Sequence, residues 1–287
     1  MKSIVALLAA CIHAHALAEE PRFVVTPEWL VSHPVAVIIE ASWTPPGKAA
    51  SDYNAGHIPG AIHVNTDDFE TPAPHWILRP LSQLHRVIGE LGIGPSSAVV
   101  VYSKQTIAAA RVWWILYYAG VKDVRYLDGG YEAWILAGHP SSHIAYKPQR
   151  QWFTASPRRD ALATSEDVAS RTPSAILADV RSRDEYDGVV SGYGYLKAKG
   201  RIPGAVFAED ADDRARIYQT AHGMLRPLDI IRKLWMDRGI LRPRAEIIFT
   251  CGSGWRSSLA FLYARELGLT NVRNYTDGWS GWSRQKR

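Results

Sequence analysis

Residues 247–258 read Ile-Ile-Phe-Thr-Cys-Gly-Ser-Gly-Trp-Arg-Ser-Ser, and this stretch joins two different local patterns. Ile247 to Phe249 is a short apolar run rich in β-branched side chains, which is typical of a strand buried on both faces. From Ser257 to Leu267 the pattern is helical, and Gly268 follows where a left-handed residue often ends a helix. A buried strand followed directly by a helix predicts an α/β fold with a mainly parallel sheet.

The features around this stretch occur twice along the chain, in the same order. Four segments recur: 57–61 (HIPGA) as 201–205 (RIPGA), 77–80 (ILRP) as 224–227 (MLRP), 99–102 (VVVY) as 247–250 (IIFT), and 126–129 (YLDG) as 275–278 (YTDG). Conserved order with small changes of spacing indicates a duplication. We therefore predict two homologous domains, 19–145 and 146–287, each a mainly parallel sheet flanked by helices.

Further elements can be placed within each copy. Additional buried strands are predicted over Val35–Ile39, Val99–Val101 and Ile176–Ala178, and a helix is predicted over Ile107–Ala119. The motifs beginning at Thr26 and Thr164 indicate helix N-caps. Strands that alternate with helices place a binding site beyond the C-terminal ends of the strands.

The first residues have the pattern of a secretory signal. Lys2 supplies a positive charge, an apolar run follows, and Ala16-Leu17-Ala18 is a small-x-small cleavage site, so we expect residues 1–18 to be removed and the protein to be periplasmic or secreted. An alternative is a lipoprotein box that ends at Cys11 and would leave a lipid anchor there. No later stretch approaches the roughly 20 apolar residues that a membrane span requires.

Charge and cysteine content narrow the function further. The formal net charge of +5 comes from scattered basic residues without a stacking motif, which argues against nucleic-acid binding and favours small anions. Of the two cysteines, cleavage after Ala18 would leave Cys251 alone. A single thiol in an oxidising compartment is either buried and inert or present for chemistry.

The surroundings of Cys251 favour chemistry. Gly252 and Gly254 allow the backbone to curl around the sulfur with its N–H groups pointing inward. The N-terminus of the following helix and the charge of Arg256 add positive potential. All three features favour a nucleophilic thiolate.

Together, the loop at Cys251, the two HIPGA/RIPGA segments, residues 128–134, residues 277–282 and Asp179-Val180-Arg181 resemble a tandem rhodanese over essentially the whole mature chain. In that family usually only the C-terminal copy is catalytic, and the site lies between the domains. Ser103 stands at the first copy's equivalent of Cys251, in a loop without glycines, so we expect the N-terminal copy to be inactive.

The resemblance implies a cycle in which Cys251 takes a sulfane sulfur from a small anionic donor and passes it to cyanide or a thiol, without a metal or an organic cofactor. Gly252, Ser253, Gly254 and Trp255 would line the substrate site, and Arg256 and Arg181 would hold the anion. Trp255 could instead shield the loop from water, and either arginine could form only a structural salt bridge.

The sulfur donor is open on sequence alone. Cys251-Gly252-Ser253-Gly254 is close to the loop of mercaptopyruvate sulfurtransferases, and that likeness assigns Ser253, His57 and, more loosely, Asp52 to a polar relay. Glu185 falls where that family places a carboxylate-binding arginine, and this difference favours thiosulfate. A non-enzymatic persulfide carrier is the alternative of a different class. A related Cys-based phosphatase would need one more residue between cysteine and arginine, and thiol-disulfide exchange would need a resolving cysteine.

Overall fold

The chain folds into two α/β units of the same design. The computed structural model describes residues 23–33, 35, 37–45, 48–71, 75–208 and 216–285. The predicted signal sequence, 1–18, and Cys11 lie outside these residues.

The first unit contains a five-stranded parallel sheet in the order β1-β5-β4-β2-β3. Its strands are β1 (Val24–Val25), β2 (Val37–Ser42), β3 (Ile62–Asn65), β4 (Ala98–Tyr102) and β5 (Asp123–Leu127). Its helices are α1 (Pro27–Ser32), α2 (Ser51–Asn54), α3 (Leu81–Glu90), α4 (Thr106–Tyr118) and α5 (Gly130–Leu136).

The second unit repeats this order as β6-β10-β9-β7-β8, again with parallel pairing throughout. Its strands are β6 (Leu162–Ala163), β7 (Ile176–Asp179), β8 (Val206–Phe207), β9 (Ile247–Thr250) and β10 (Val272–Tyr275). Its helices are α6 (Ser165–Ser170), α7 (Arg183–Asp187), α8 (Leu228–Asp237), α9 (Trp255–Glu266) and α10 (Gly278–Arg284). The shared strand order confirms the predicted α/β duplication, whereas the domain boundary between residues 145 and 146 stays a prediction.

The elements that were predicted from local signals lie within a few residues of their expected positions. Thr26 caps α1 by accepting a hydrogen bond from the Trp29 N–H, and Thr164 caps α6 by accepting one from the Asp167 N–H. One predicted start was wrong in a way that affects the site: α9 begins at Trp255 rather than at Ser257. The reason is Gly254, which turns the chain in the left-handed region at φ +90° and lets the helix begin at once.

The two units share a hydrophobic core. α4 packs against α9, and buried side chains from both sheets belong to one contiguous cluster around these helices. α4 and α9 occupy equivalent places in the two copies, each directly after a central strand. The loops that precede them, at Ser103 and Cys251, therefore lie at the same edge of their respective sheets. Within the described residues, no helix has both the length and the apolarity needed to cross a membrane.

Candidate active site

Cys251 follows β9 at the C-terminal edge of the second sheet, and its side chain is 1% exposed. The Gly254 N–H donates to the sulfur at 3.1 Å, and the Ser257 hydroxyl lies 3.5 Å from it. The N-terminus of the 12-residue helix α9 begins one residue after Gly254. The sulfur therefore meets N–H and O–H donors and the positive end of a helix dipole, which is an arrangement that stabilises a thiolate.

The N-terminus of α10 holds the loop in this shape. The Trp279 N–H donates to the carbonyl of Cys251 at 2.8 Å, and the Ser280 N–H donates to the carbonyl of Gly252 at 2.9 Å. Gly278, at φ +55°, comes so close that a Cβ atom there would lie 2.5 Å from the Cys251 carbonyl oxygen. The start of α10 at Gly278 thus supplies the surface against which the loop is shaped.

Arg256 lies beneath the loop in a buried ion pair. Its Nη1 and Nη2 atoms donate to the two carboxylate oxygens of Glu185 at 2.8 and 2.7 Å, and Nη2 also contacts the hydroxyl of Tyr193. Burial raises the pKa of Glu185, but the hydrogen bonds and charge of Arg256 outweigh burial and hold that pKa below its usual range. The carboxylate of Glu185 therefore neutralises much of the positive charge of Arg256, which was predicted from the sequence to bind the donor anion.

Arg181 also forms a buried ion pair, in this case with Asp179. Its Nε and Nη2 atoms contact both carboxylate oxygens of Asp179 at 2.7 to 3.1 Å, and Nη2 also donates to the Gly200 carbonyl at 2.8 Å. The side chain is fully buried and does not line the cavity beside the loop. The structure thus gives Arg181 a role in fixing β7, and its proposed role in anion binding stays a prediction.

The structure does not bring together Ser253, His57 and Asp52. Both ring nitrogens of His57 face backbone carbonyls, those of Tyr53 at 2.9 Å and Ile144 at 3.1 Å, and the ring stacks on Tyr53. Asp52 lies on the short helix α2, and neither residue lines the cavity beside the loop. The expected relay is not formed in this arrangement, because the HIPGA segment turns His57 into the interior of the first unit.

A cavity of about 320 Å³ adjoins the loop and is walled by both units. It is lined by Trp43, Trp76, Gln105, Ile107, Tyr193, Tyr195, Ser253, Trp255 and Arg256. Five of these nine residues are aromatic. Ser253, Trp255 and Arg256 thus border one cavity, as the sequence predicted for the substrate site, and Gly252 and Gly254 form the loop behind them.

Tyr193 and Tyr195 were not predicted from the sequence. The Tyr193 ring lies directly against the Cα of Gly252, and Tyr195 reaches both Ser253 and, with ring centroids 4.9 Å apart, Trp76 of the first unit. Burial raises the pKa of Tyr195 to about 12, so its hydroxyl is protonated at neutral pH. The signal that could have found them is the segment 189–200, which lengthens the second copy ahead of its RIPGA motif.

The first unit's equivalent loop is differently built. The Ser103 hydroxyl oxygen accepts a hydrogen bond from the Gln105 N–H at 2.8 Å, and Gly130 packs against the Ser103 carbonyl. The described partners of Ser103 include no general base. Across the described part of the chain, no three His, Cys, Asp or Glu side chains cluster as metal ligands would.

Fold and site together define a pair of parallel-sheet α/β domains, one with a cysteine loop at the C-terminal edge of its sheet and one with a serine there. The Rhodanese-like domain family matches residues 34–137 and 164–285. These two matches cover most of the chain, one for each unit, so the chain belongs to the rhodanese family and carries its domain in tandem.

Relatives with known names agree with this assignment. The chain is 35% identical to a thiosulfate sulfurtransferase, YnjE, of Escherichia coli over 254 residues, which are 86% of this chain and 57% of that protein. It is 28% identical to an Escherichia coli 3-mercaptopyruvate sulfurtransferase over 268 residues, 89% of this chain and 92% of that protein. This chain therefore spans only a little over half of the first relative.

A solved structure shows the same fold in complex with a different substrate. It is the anaerobic ergothioneine biosynthesis enzyme from Chlorobium limicola in complex with its natural substrate trimethyl histidine, with a TM-score of 0.84 and 32% identity. The match covers 91% of this chain and 68% of that one. Members with this fold thus act on more than one kind of substrate.

Proposed function

We propose that this protein is a sulfurtransferase that carries a sulfane sulfur on Cys251. One observation supports this function above others: the Cys251 sulfur accepts a hydrogen bond from the Gly254 N–H in a tight loop beside a cavity between the two units. Membership of the rhodanese family, in which usually only the C-terminal copy is catalytic, supports the same assignment. Cys251→Ser removes the nucleophile and provides the reference variant for every test below.

The reaction has two balanced steps. The Cys251 thiolate attacks the outer sulfur of thiosulfate, an S–S bond forms to the enzyme, and sulfite leaves with the electron pair of the broken S–S bond. The persulfide then gives its outer sulfur to cyanide, which leaves as thiocyanate, or to a thiol, and the thiolate returns. The loop N–H groups that stabilise the thiolate also stabilise the persulfide anion.

Thiosulfate is the donor that we propose first. A mercaptopyruvate donor needs a cation for its carboxylate, yet Glu185 stands at the expected place and is itself bound to Arg256. The alternative, mercaptopyruvate, is supported by the relative that is 28% identical. A non-enzymatic persulfide carrier would load sulfur in the same manner and differ only in the second step.

Intact mass measurement tests this proposal. The purified protein is weighed before and after exposure to thiosulfate and, separately, to mercaptopyruvate, and then again after cyanide. We expect thiosulfate to add the mass of about one sulfur atom, which cyanide then removes. The mass of Cys251→Ser should not change, and Ser103→Ala should take up sulfur at a rate within a few fold of wild type. Uptake without turnover would favour the carrier, and no uptake with either donor would contradict the proposal.

A second candidate acceptor is favoured by the cavity lining. Trp43, Trp76, Tyr193 and Tyr195 line the cavity, and aromatic side chains are suited to a quaternary ammonium group. Trimethyl histidine, the substrate of the Chlorobium limicola enzyme, carries such a group. Sulfur transfer to its imidazole carbon would replace a C–H hydrogen with –SH and return the Cys251 thiol. The test is to add trimethyl histidine to the sulfur-loaded protein and to analyse the small molecules by mass spectrometry. A thiolated product that is lost in Trp76→Ala, while thiocyanate formation from cyanide is kept, would support this acceptor, and no such product from wild type would contradict it.

We also propose that the protein is exported to the periplasm or secreted. The support is the pattern of Lys2, the apolar run and Ala16-Leu17-Ala18. The N-terminal sequence of protein recovered from a native cell fraction decides between cleavage after Ala18 and a lipid anchor at Cys11.

A further inference from the structure

A buried ion pair of the first unit reaches the catalytic loop of the second. Arg111, on α4, donates from Nε and Nη2 to one carboxylate oxygen of Glu70, at 2.9 and 2.5 Å. Both side chains are 0% exposed. Burying a charged pair costs desolvation free energy that geometry must recover, so such a pair is a costly way to achieve stability alone.

The pair touches the loop at two points. The other carboxylate oxygen of Glu70 accepts a hydrogen bond from the Trp255 indole N–H at 2.8 Å. On the far side, Arg111 Nη1 lies 2.9 Å from where a Cβ of Gly254 would be, and it has no hydrogen-bond partner among the described residues. Gly254 is the N-cap residue of α9, and Trp255 is the first residue of that helix.

Gly254 is the residue whose N–H contacts the Cys251 sulfur. On the side where a Cβ atom would point, its backbone lies against Arg111 and the backbone of Thr276, and the next residue is Trp255, whose indole Glu70 holds. We propose that Glu70 is a positioning residue for sulfur transfer, which acts through Trp255 to fix the Gly254 N–H on the sulfur, while Arg111 holds Glu70 in place. This inference rests on the proposed function for its main readout.

Under this proposal both units contribute to the site, although the first unit lacks a cysteine in its own loop. The first unit has Ser103 in place of the cysteine, yet it supplies the carboxylate that aligns the loop of Cys251. In Glu70→Gln, an amide whose oxygen still faces Arg111 presents its NH₂ to the Trp255 N–H, so two donors oppose each other. Misplacement of a reacting group by about 1 Å can slow a step as much as 100-fold.

The test is a double-mutant cycle of Glu70→Gln and Trp255→Phe, followed by rapid mixing with thiosulfate. Glu40→Gln is the matched control, because Glu40 is a buried carboxylate of the same unit that pairs with His63 at 2.7 Å and does not line the cavity. We expect Glu70→Gln to lower the rate constant of sulfur uptake about 10-fold, with the amount of sulfur bound and the half-saturating thiosulfate concentration unchanged. Glu40→Gln should match wild type.

In the Trp255→Phe background, Glu70→Gln should change the rate less than about threefold, since the partner is already gone. The inference is overturned if Glu70→Gln has the wild-type rate, if its effect is the same in both backgrounds, or if only the amount of active protein falls. If wild type takes up no sulfur, the proposed function fails first. The same cycle is then read from the alkylation rate of Cys251 with iodoacetamide, where additive effects likewise overturn the inference.

Discussion

Arg256 and Glu185 form a two-pronged ion pair under the loop, and each side chain is 4% exposed. Sequence reasoning assigned Arg256 to the donor anion, since an arginine beside a nucleophilic cysteine suits that role. The structure adds a buried carboxylate that shares this charge. At the scale of the residue, Arg256 therefore supports the loop through its ion pair with Glu185. Only the part of its positive charge that Glu185 does not neutralise can attract an anionic donor.

Glu185→Gln leaves Arg256 buried without its carboxylate. We expect a loss of about 3–5 kcal/mol in the free energy of unfolding at neutral pH, measured by urea denaturation. The control is Asp237→Asn, in an exposed pair with Lys233, which should cost less than about 1 kcal/mol. Equal, small losses in the two variants would show that the buried pair adds nothing.

The same pair gives a dependence on pH. The pKa of Glu185 is lowered in the folded protein, so its stabilisation is complete above the usual carboxyl range and is lost as the pH falls through the folded pKa. The stability gap between wild type and Glu185→Gln should therefore narrow below about pH 4. A gap that stays constant down to the acid transition would contradict this assignment.

At the scale of the element, α10 shapes the loop through its first residues. Two N–H groups of α10 bind carbonyls of the loop, and Gly278 permits the close approach. The first unit has the equivalent contact, in which Gly130 packs against the carbonyl of Ser103. The glycine that begins the helix after the last strand of each copy, Gly130 in the first and Gly278 in the second, is thus a structural part of both copies. In the first copy it lies one residue after the Asp128-Gly129 pair, which the sequence repeat aligns with Asp277-Gly278.

Gly278→Ala should damage both stability and sulfur uptake. Its Cβ would lie 2.5 Å from the Cys251 carbonyl oxygen and 2.6 Å from the backbone of Gly252. Gly138→Ala is the control, because Gly138 also has positive φ, at +81°, but has open space around its Cβ position. We expect the control to lose about 1–2 kcal/mol of stability through backbone strain alone, with uptake unchanged. Similar behaviour in both variants would show that the loop tolerates displacement.

At the scale of the whole molecule, α4 and α9 join the two units. The Phe261 ring lies 6.4 Å from the rings of both Trp113 and Trp114 and 5.9 Å from that of Tyr117. These buried aromatics belong to one cluster that includes strands of both sheets. Cooperative unfolding of the two units together follows from this continuity.

Differential scanning calorimetry should show one transition for wild type, with equal calorimetric and van't Hoff enthalpies. Phe261→Ala should remove about 3–5 kcal/mol and raise the ratio of these enthalpies above one, because it weakens the join between the units. Leu127→Ala, at an equally buried position in a cluster formed by first-unit residues, should lower stability with the ratio unchanged. Two separate transitions in wild type would contradict the shared core.

The predictions that succeeded rest on short-range signals. The strands at 99–101 and 247–249 are continuous apolar runs, and the caps at Thr26 and Thr164 involve residues within one helical turn. The start of α9 was misplaced because the φ of Gly254 depends on what surrounds it. Tyr193 and Tyr195 escaped prediction because they meet the loop only after a segment without strong local patterning folds back over it.

The sequence alone determined the tandem α/β architecture and the different composition of the two loops, one with Cys251 and one with Ser103, because repeats and strand–loop–helix patterns are local properties of the chain. Only the tertiary structure decided that Glu185 balances Arg256, that His57 points away from Ser253, and that Glu70 of one unit holds Trp255 of the other. These contacts join residues far apart in the chain, and their charges and hydrogen bonds are set by burial and distance, which no local pattern encodes.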